Sequence, residues 1–205
     1  MRATPLLWRL VATFAGLAAA GNGLAAGDAA AGQYKFSTCT GCHSIPGYTN
    51  VYPTYHVPKL GGQHAGYIAA ALNAYKIGDR PHPTMQANAA NLSDEDMADI
   101  AAYLSGSFTE PDSRGAAPGG DPAAGRQKSA PCQACHGPDG NSPTPDFPRL
   151  AGQYADYLRQ ALADYKSGAR KNPIMSGMMA GLSDRDIADL AAFYASQKGL
   201  AVAGD

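Results

Sequence analysis

Two short stretches decide how the rest of the chain is read: Cys39-Thr40-Gly41-Cys42-His43 and Cys132-Gln133-Ala134-Cys135-His136. Both have the form C-x-x-C-H, the covalent attachment signal for haem. Two thiols three residues apart on one helical turn can each add to a vinyl group of a single porphyrin. The histidine that follows then lies under the iron. All four cysteines of the chain fall in these motifs, so none remains for a separate disulfide framework. A lone C-x-x-C could equally be a thioredoxin-like redox pair, half a zinc site or a disulfide. Here both copies carry the trailing histidine, sit at equivalent places in an internal repeat and have a methionine downstream. These features select two haem c groups as the expected cofactors.

The repeat extends well beyond the motifs. Gly27-Asp28-Ala29-Ala30-Ala31-Gly32, with Asp28 as cap, opens a short helix towards Cys39, and Gly120-Asp121-Pro122-Ala123-Ala124-Gly125 does the same before Cys132. Pro58-Lys59-Leu60-Gly61-Gly62-Gln63 matches Pro148-Arg149-Leu150-Ala151-Gly152-Gln153. The offset between the halves is 93 at Cys39 and Cys132 but 90 at Leu60 and Leu150, so the stretch Gly137 to Phe147 is three residues shorter than Ser44 to Val57.

Ile68, Ala71, Leu72 and Tyr75 then recur at helical spacing, as do Leu158, Ala161, Leu162 and Tyr165, with Gly78 and Gly168 as stops. A last helix is announced by Ser93 and Asp96, and again by Ser183 and Asp186. Met97, Ile100, Ala101 and Leu104 form its buried stripe, matched by Ile187, Leu190, Ala191 and Tyr194. The expected fold is all-α, two small helical domains in tandem, each around one covalently attached haem. Units of about 80 to 90 residues draw little stability from their own cores. A bonded porphyrin would supply the missing apolar filling.

Residues 1–25 read as a secretory signal peptide: Arg2 and Arg9 flank the start of an apolar run from Leu10 to Ala20, followed by small residues to Ala26, with cleavage placed after Ala25 and a cut after Ala20 as the alternative. The run is short for a bilayer span. The remaining expected boundaries are a first domain at 26–109, a polar linker at 110–119 and a second domain at 120–205. Export points to the periplasm, with membrane contact only through partner complexes. Loss of Arg2 and Arg9 leaves 14 basic against 17 acidic residues, a balance that gives no reason to expect a nucleic-acid partner. The acidic excess lies in the first half, in Asp28, Asp79, Asp94, Glu95, Asp96, Asp99 and Glu110. It reads either as a docking face for a basic partner or as an ordinary helix start.

A second ligand for each iron is sought in Arg80-Pro81-His82-Pro83-Thr84-Met85 and Arg170-Lys171-Asn172-Pro173-Ile174-Met175. A thioether on a proline-stiffened loop suits the position opposite the histidine, and such ligation raises the reduction potential. Met178 and Met179 are rivals that match Asn88 and Ala89 in the repeat, and His82 matches Asn172. Met85 and Met175 are therefore preferred.

With these motifs placed, the chain resembles the diheme cytochrome c4 family of tandem class I cytochrome c domains. The resemblance rests on the paired C-x-x-C-H, the P-x-L-[AG]-G-Q stretch, the Pro-x-Met loop and the L-S-D-x-D helix start. It implies His43 and His136 as proximal ligands, Met85 and Met175 as distal ones, and the carbonyls of Pro58 and Pro148 as acceptors for the proximal imidazole N–H. It also implies periplasmic electron transfer without a catalytic residue, between partners such as a quinol-oxidising complex, a terminal oxidase or a dehydrogenase. The first-half loop departs from the pattern: Tyr48, Tyr52, Tyr55 and His56 stand where the second half has the glycine-rich Gly137-Pro138-Asp139-Gly140. The extra histidines His56, His64 and His82 favour a different class, a diheme peroxidase or sulfur-compound dehydrogenase with one open haem. A bound cytochrome subunit of a dehydrogenase or oxidase complex is the third reading.

Overall fold

The computed structural model describes residues 27–52, 54–106 and 119–204. The expected signal peptide and nearly all of the expected linker lie outside the described residues. The first half contains α1 (Ala29–Phe36), α2 (Thr40–His43), α3 (Ala65–Ile77), α4 (Pro83–Ala89) and α5 (Asp94–Leu104). The second contains α6 (Pro122–Lys128), a short 3-10 turn at Ala130–Cys132, α7 (Gln133–His136), α8 (Ala155–Ser167), α9 (Pro173–Met179) and α10 (Asp184–Ala195). The described residues form no strand, only two isolated bridges, Thr49 with His56 and Gly61 with Ala201. The fold is all-α, two tandem domains built to one plan.

The helix ends follow from local chemistry. The Asp28 carboxylate accepts from the N–H groups of Ala30 and Ala31, and Asp121 from those of Ala123 and Ala124. Ser93 with Asp96 and Ser183 with Asp186 form reciprocal capping boxes. Gly78 and Gly168 end α3 and α8 at φ 84° and 76°, a left-handed conformation that glycine adopts without strain. The segments around Met85 and Met175 differ from the expected loop: each is a short helix with the methionine in its first turn. Pro83 and Pro173 bring a locked φ and lack an N–H that the first turn would leave unpaired. His82 Nδ1 and Asn172 Oδ1 cap the turn by accepting from the methionine N–H.

In each half the first helix lies directly against the last. A Cβ on Gly32 would sit 1.9 Å from the Asp99 carbonyl oxygen, and one on Gly125 2.0 Å from that of Asp189. Backbone touches backbone there, so no side chain fits. Two buried carboxylates fasten the crossing. Asp99 accepts from the Asp28 N–H at 2.7 Å and from Lys35 Nζ at 2.6 Å. Asp189 does the same with Asp121 and Lys128, at 2.8 and 2.6 Å. Phe36, Ile68, Ile100, Ala101 and Leu104 form the first core, and Leu158, Leu190, Ala191, Phe193 and Tyr194 the second. Met97, expected in the core, is buried.

The end of the second half returns to the first. Ala201 exchanges backbone hydrogen bonds with Gly61, at 2.9 and 3.0 Å, and Ala203 is completely buried in the first core. The last residues are thus second-domain in sequence and partly first-domain in packing.

Candidate haem sites

Cys39 caps α2, and the N–H groups of Cys42 and His43 both donate to its carbonyl, at 3.1 and 3.0 Å. This tight turn sets both thiols and the imidazole around one short helix. Cys132, Cys135 and His136 repeat the arrangement on α7. All four cysteines are unpaired and partly buried, and all line one cavity. Burial raises the pKa of Cys39 and Cys132.

Each histidine is buried and fixed by one bond. His43 Nδ1 lies 3.0 Å from the Pro58 carbonyl oxygen, and His136 Nδ1 lies 2.9 Å from that of Pro148. A carbonyl only accepts, so Nδ1 carries the proton and the Nε2 lone pair is left for a metal. Burial brings the His43 pKa down to about 4 and lowers that of His136, with the carbonyl bond opposing it in both. Both rings are neutral near pH 7. Met85 and Met175, each half-buried, line the same cavity. Met178 and Met179 border it as well, Met179 almost fully buried.

The cavity, about 720 Å³, is mostly apolar and is walled by both halves. The two halves meet there in crossed pairs. Gln153 accepts from the Lys59 N–H and donates to the Lys59 carbonyl, both at 2.9 Å. Gln63 does the same to Arg149, again at 2.9 Å. Arg80 donates to the Tyr157 hydroxyl, and Arg170 to that of Tyr67 at 2.8 Å. Every pair joins a residue of one half to the repeat counterpart of its partner's match. The halves therefore face each other across a pseudo-twofold axis, as subunits do in an isologous dimer.

These seam residues were not singled out for function by sequence reasoning, although a signal existed. Gln63, Gln153, Arg80 and Arg170 are polar at matched positions of the repeat. The extra histidines also find places. His56 Nδ1 is 2.7 Å from an Asp156 carboxylate oxygen, His64 Nε2 is 3.0 Å from the Ser142 carbonyl, and His82 caps α4. Of the first-half acids, Asp28 is a cap, Asp79 pairs with Lys171, and Asp96 and Asp99 share Lys35. Asp94 and Glu95 remain exposed.

The residues fit a pair of porphyrins on their own chemistry. Four unpaired thiols, two imidazoles with free Nε2 positions and thioether donors surround one apolar space. The wall also holds an unanswered donor, the buried Nε of Arg149. Such a site in a tandem helical fold defines a diheme c-type cytochrome. The cytochrome c family profile matches twice, at residues 29–107 and 122–198. Cytochrome c4 of Pseudomonas aeruginosa is 37% identical over 198 residues, covering 90% of this chain and 96% of that one. The crystal structure of reduced recombinant cytochrome c4 from Pseudomonas stutzeri superposes with a TM-score of 0.69 at 32% identity, covering 84% of this chain and all of that one. A thiosulfate dehydrogenase electron acceptor of Stutzerimonas stutzeri is 34% identical over 171 residues, 77% of this chain and 78% of that one. The chain belongs to the cytochrome c4 family and carries two haem c groups for electron transfer.

Proposed function

We propose that His43 with Met85 and His136 with Met175 hold the two irons, that Cys39, Cys42, Cys132 and Cys135 form the thioether links, and that the protein is a periplasmic electron shuttle with no catalytic residue. The observation that carries this reading is the repeated geometry. Each buried histidine turns its Nδ1–H to a proline carbonyl, and each has a methionine in the first turn of an equivalent helix on the same cavity. Met178 and Met179 lack counterparts of their type in the first half, so the repeat selects Met175.

The haem iron supplies a reversible one-electron change between ferric and ferrous states. The chain supplies the surroundings. Pro58 and Pro148 fix the tautomer and orientation of the histidines. The apolar walls limit water. Held by His43 with Met85 and by His136 with Met175, the irons would keep no open position for a substrate. The engagement of His56, His64 and His82 in contacts within the protein supports a carrier over a diheme peroxidase.

The proposed unit boundaries are a signal peptide at 1–25, domains at 26–109 and 120–205, and a linker at 110–119. No described helix is long and apolar enough to cross a membrane, and contact with one is assigned to partner complexes. The partners are redox proteins: a dehydrogenase or quinol-oxidising complex as donor and a terminal oxidase as acceptor. The relative named as a thiosulfate dehydrogenase electron acceptor supports the dehydrogenase. The test is a redox titration of the purified protein with and without carbon monoxide. The wild-type reduced protein should not bind the gas, whereas Met85→Ala and Met175→Ala should each open one iron. Equal binding by all three would end the closed-site reading.

A further inference from the structure

Tyr194, near the end of α10, is only 3% exposed and belongs to the second core. Its neighbours hold the ring in place. The Phe193 ring centre lies 5.0 Å away, and a Cβ on Gly140 would come within 2.6 Å of Tyr194 Cδ1, so glycine there leaves the room that the ring fills. The Tyr194 carbonyl accepts from the Gly152 N–H at 2.9 Å, which fixes the backbone beneath. At the far end of this ring the buried hydroxyl meets no hydrogen-bond partner among the described residues. Tyr194 and Cys132 both line the haem cavity, and Cys132 packs against the cluster that contains Tyr194.

A hydroxyl buried without a partner is unfavourable, and apolar filling of the same space would avoid the cost. The first half does so: the repeat counterpart of Tyr194 is Leu104, equally buried and without a polar atom. The second half has therefore placed an oxygen where packing alone needs none. The group that this oxygen influences is Cys132. Burial pushes both pKa values up, Cys132 raises that of the Tyr194 hydroxyl further, and the hydroxyl draws that of the thiol back down. These are the directions for a hydroxyl that donates towards sulfur. Ser129 is also close, but its hydroxyl already donates to the Arg126 carbonyl at 2.8 Å and accepts from Gln133 at 3.4 Å. In the first half Thr38 Oγ1 lies 3.7 Å from Cys39 Sγ, but in an exposed setting where water competes for it.

We infer that the Tyr194 hydroxyl donates a hydrogen bond to the Cys132 thioether sulfur and so raises the potential of the second-half haem alone. The inference rests on the thioether link assigned to Cys132 above. Tyr194 is then a positioning residue that acts through Cys132. Sulfur is a weak acceptor, but at a buried site water does not compete for the donor. A bond to the sulfur draws electron density from the ring to which the sulfur is joined, and a ring with less density favours ferrous iron. Hydrogen bonding around the cofactor is one of the levers by which a protein sets a haem potential. Leu104 denies the first-half haem this contact. The same bond would tie α10 to Cys132 at the start of α7, the attachment helix.

The test uses the holoprotein and proton nuclear magnetic resonance. In the reduced wild type the Tyr194 hydroxyl proton, assigned through its own ring protons, should exchange slowly with water and show an Overhauser contact to the Cys132 β-protons. Haem methyl signals at poised potentials then report each haem separately. Tyr194→Phe should lower the ferrous-to-ferric ratio of the second-half haem about threefold at fixed potential, a fall of about 28 mV for a one-electron couple. The first-half haem should not move. A 3-fluorotyrosine at position 194, a more acidic donor, should raise the same ratio, a reversal of sign that packing alone would not give. A hydroxyl proton in contact with Ser129 instead of Cys132 would overturn the inference. So would an unmoved second-half potential in a Tyr194→Phe protein with full haem content. If Tyr194→Phe fails to retain both haems, the wild-type contact and the fluorinated protein decide alone. Mass spectrometry of the haem-bearing peptides is read on the same samples. A Cys132 peptide without haem would count against the thioether link, while the Overhauser contact would still judge the hydroxyl.

Discussion

Substituting alanine for Gly125 sets two physical effects against each other. Gly125 lies within α6, where alanine is favoured over glycine by about 1 kcal/mol in helix propensity. Packing opposes this. The new Cβ would lie 2.0 Å from the Asp189 carbonyl oxygen, and ordinary contact begins at 3.4 Å, so α6 and α10 would have to part by about 1.4 Å. The atom met is backbone and cannot rotate away. Asp189 binds both Asp121 and Lys128, so α6 cannot slide without losing those bonds. Overpacking of this kind costs about 3 kcal/mol at the upper end of its usual range, for a net loss of about 2 kcal/mol after the propensity gain. At about 4–8 °C per kcal/mol for a domain of this size, the second-half transition should fall by roughly 8–16 °C. Calorimetry of the oxidised holoprotein would measure it. Gly181→Ala is the control, since nothing lies within 4 Å of its added Cβ. A Gly125→Ala protein with an unchanged or raised transition would refute the close-contact account and leave propensity as the dominant effect.

Deleting residues 201–205 removes the two Ala201–Gly61 bonds and uncovers the site of Ala203, a loss of about 2–3 kcal/mol. Amide exchange should quicken in α3 and α5 of the first half more than in α8; a change confined to the second half would contradict the packing. The carboxyls of Asp96 and Asp99 are held low by Lys35, and those of Asp186 and Asp189 by Lys128, with the Asp96 and Asp186 carboxyls also held by their capping serines. Folded values below the unfolded value of about 3.9 mean that their stabilisation is present above that pH and is lost as pH falls through the folded values. Urea midpoints should therefore drop steadily below about pH 4, and less steeply in Lys35→Met. His82→Asn should leave carbon monoxide exclusion intact, because Asn172 caps α9 from the matching position, whereas His82→Ala should cost about 1 kcal/mol through the lost cap. Gas binding by reduced His82→Asn would instead mark His82 as an iron ligand.

The seam also bears on how the carrier meets its partners. Tyr48, Val51 and Tyr52 of the longer first-half loop are exposed, whereas His56 from the same loop is tied to Asp156 across the halves. The loop that departs from the repeat therefore has one end fastened to the second half. Of the first-half acids, Asp28, Asp79, Asp96 and Asp99 are engaged within the protein, Asp94 and Glu95 lie exposed, and Glu110 lies outside the described residues.

Much of this protein was legible from local chemistry. C-x-x-C-H states its cofactor because the bonds it makes lie within five residues, and Asp28, Ser93, Gly78 and their counterparts mark helix ends because capping acts within one turn. The doubled pattern showed two units for the same reason. Tertiary structure alone showed why Gly32 and Gly125 must be glycine, since the atom that excludes a side chain belongs to a helix more than sixty residues away. It also revealed that buried Asp99 and Asp189 fasten the first helix of each half to the last, that the final residues pack into the first core, and that Arg80 and Arg170 reach tyrosines of the opposite half. Local rules reach only neighbouring residues. Which buried charges meet across a seam is settled when the two halves close over a shared space.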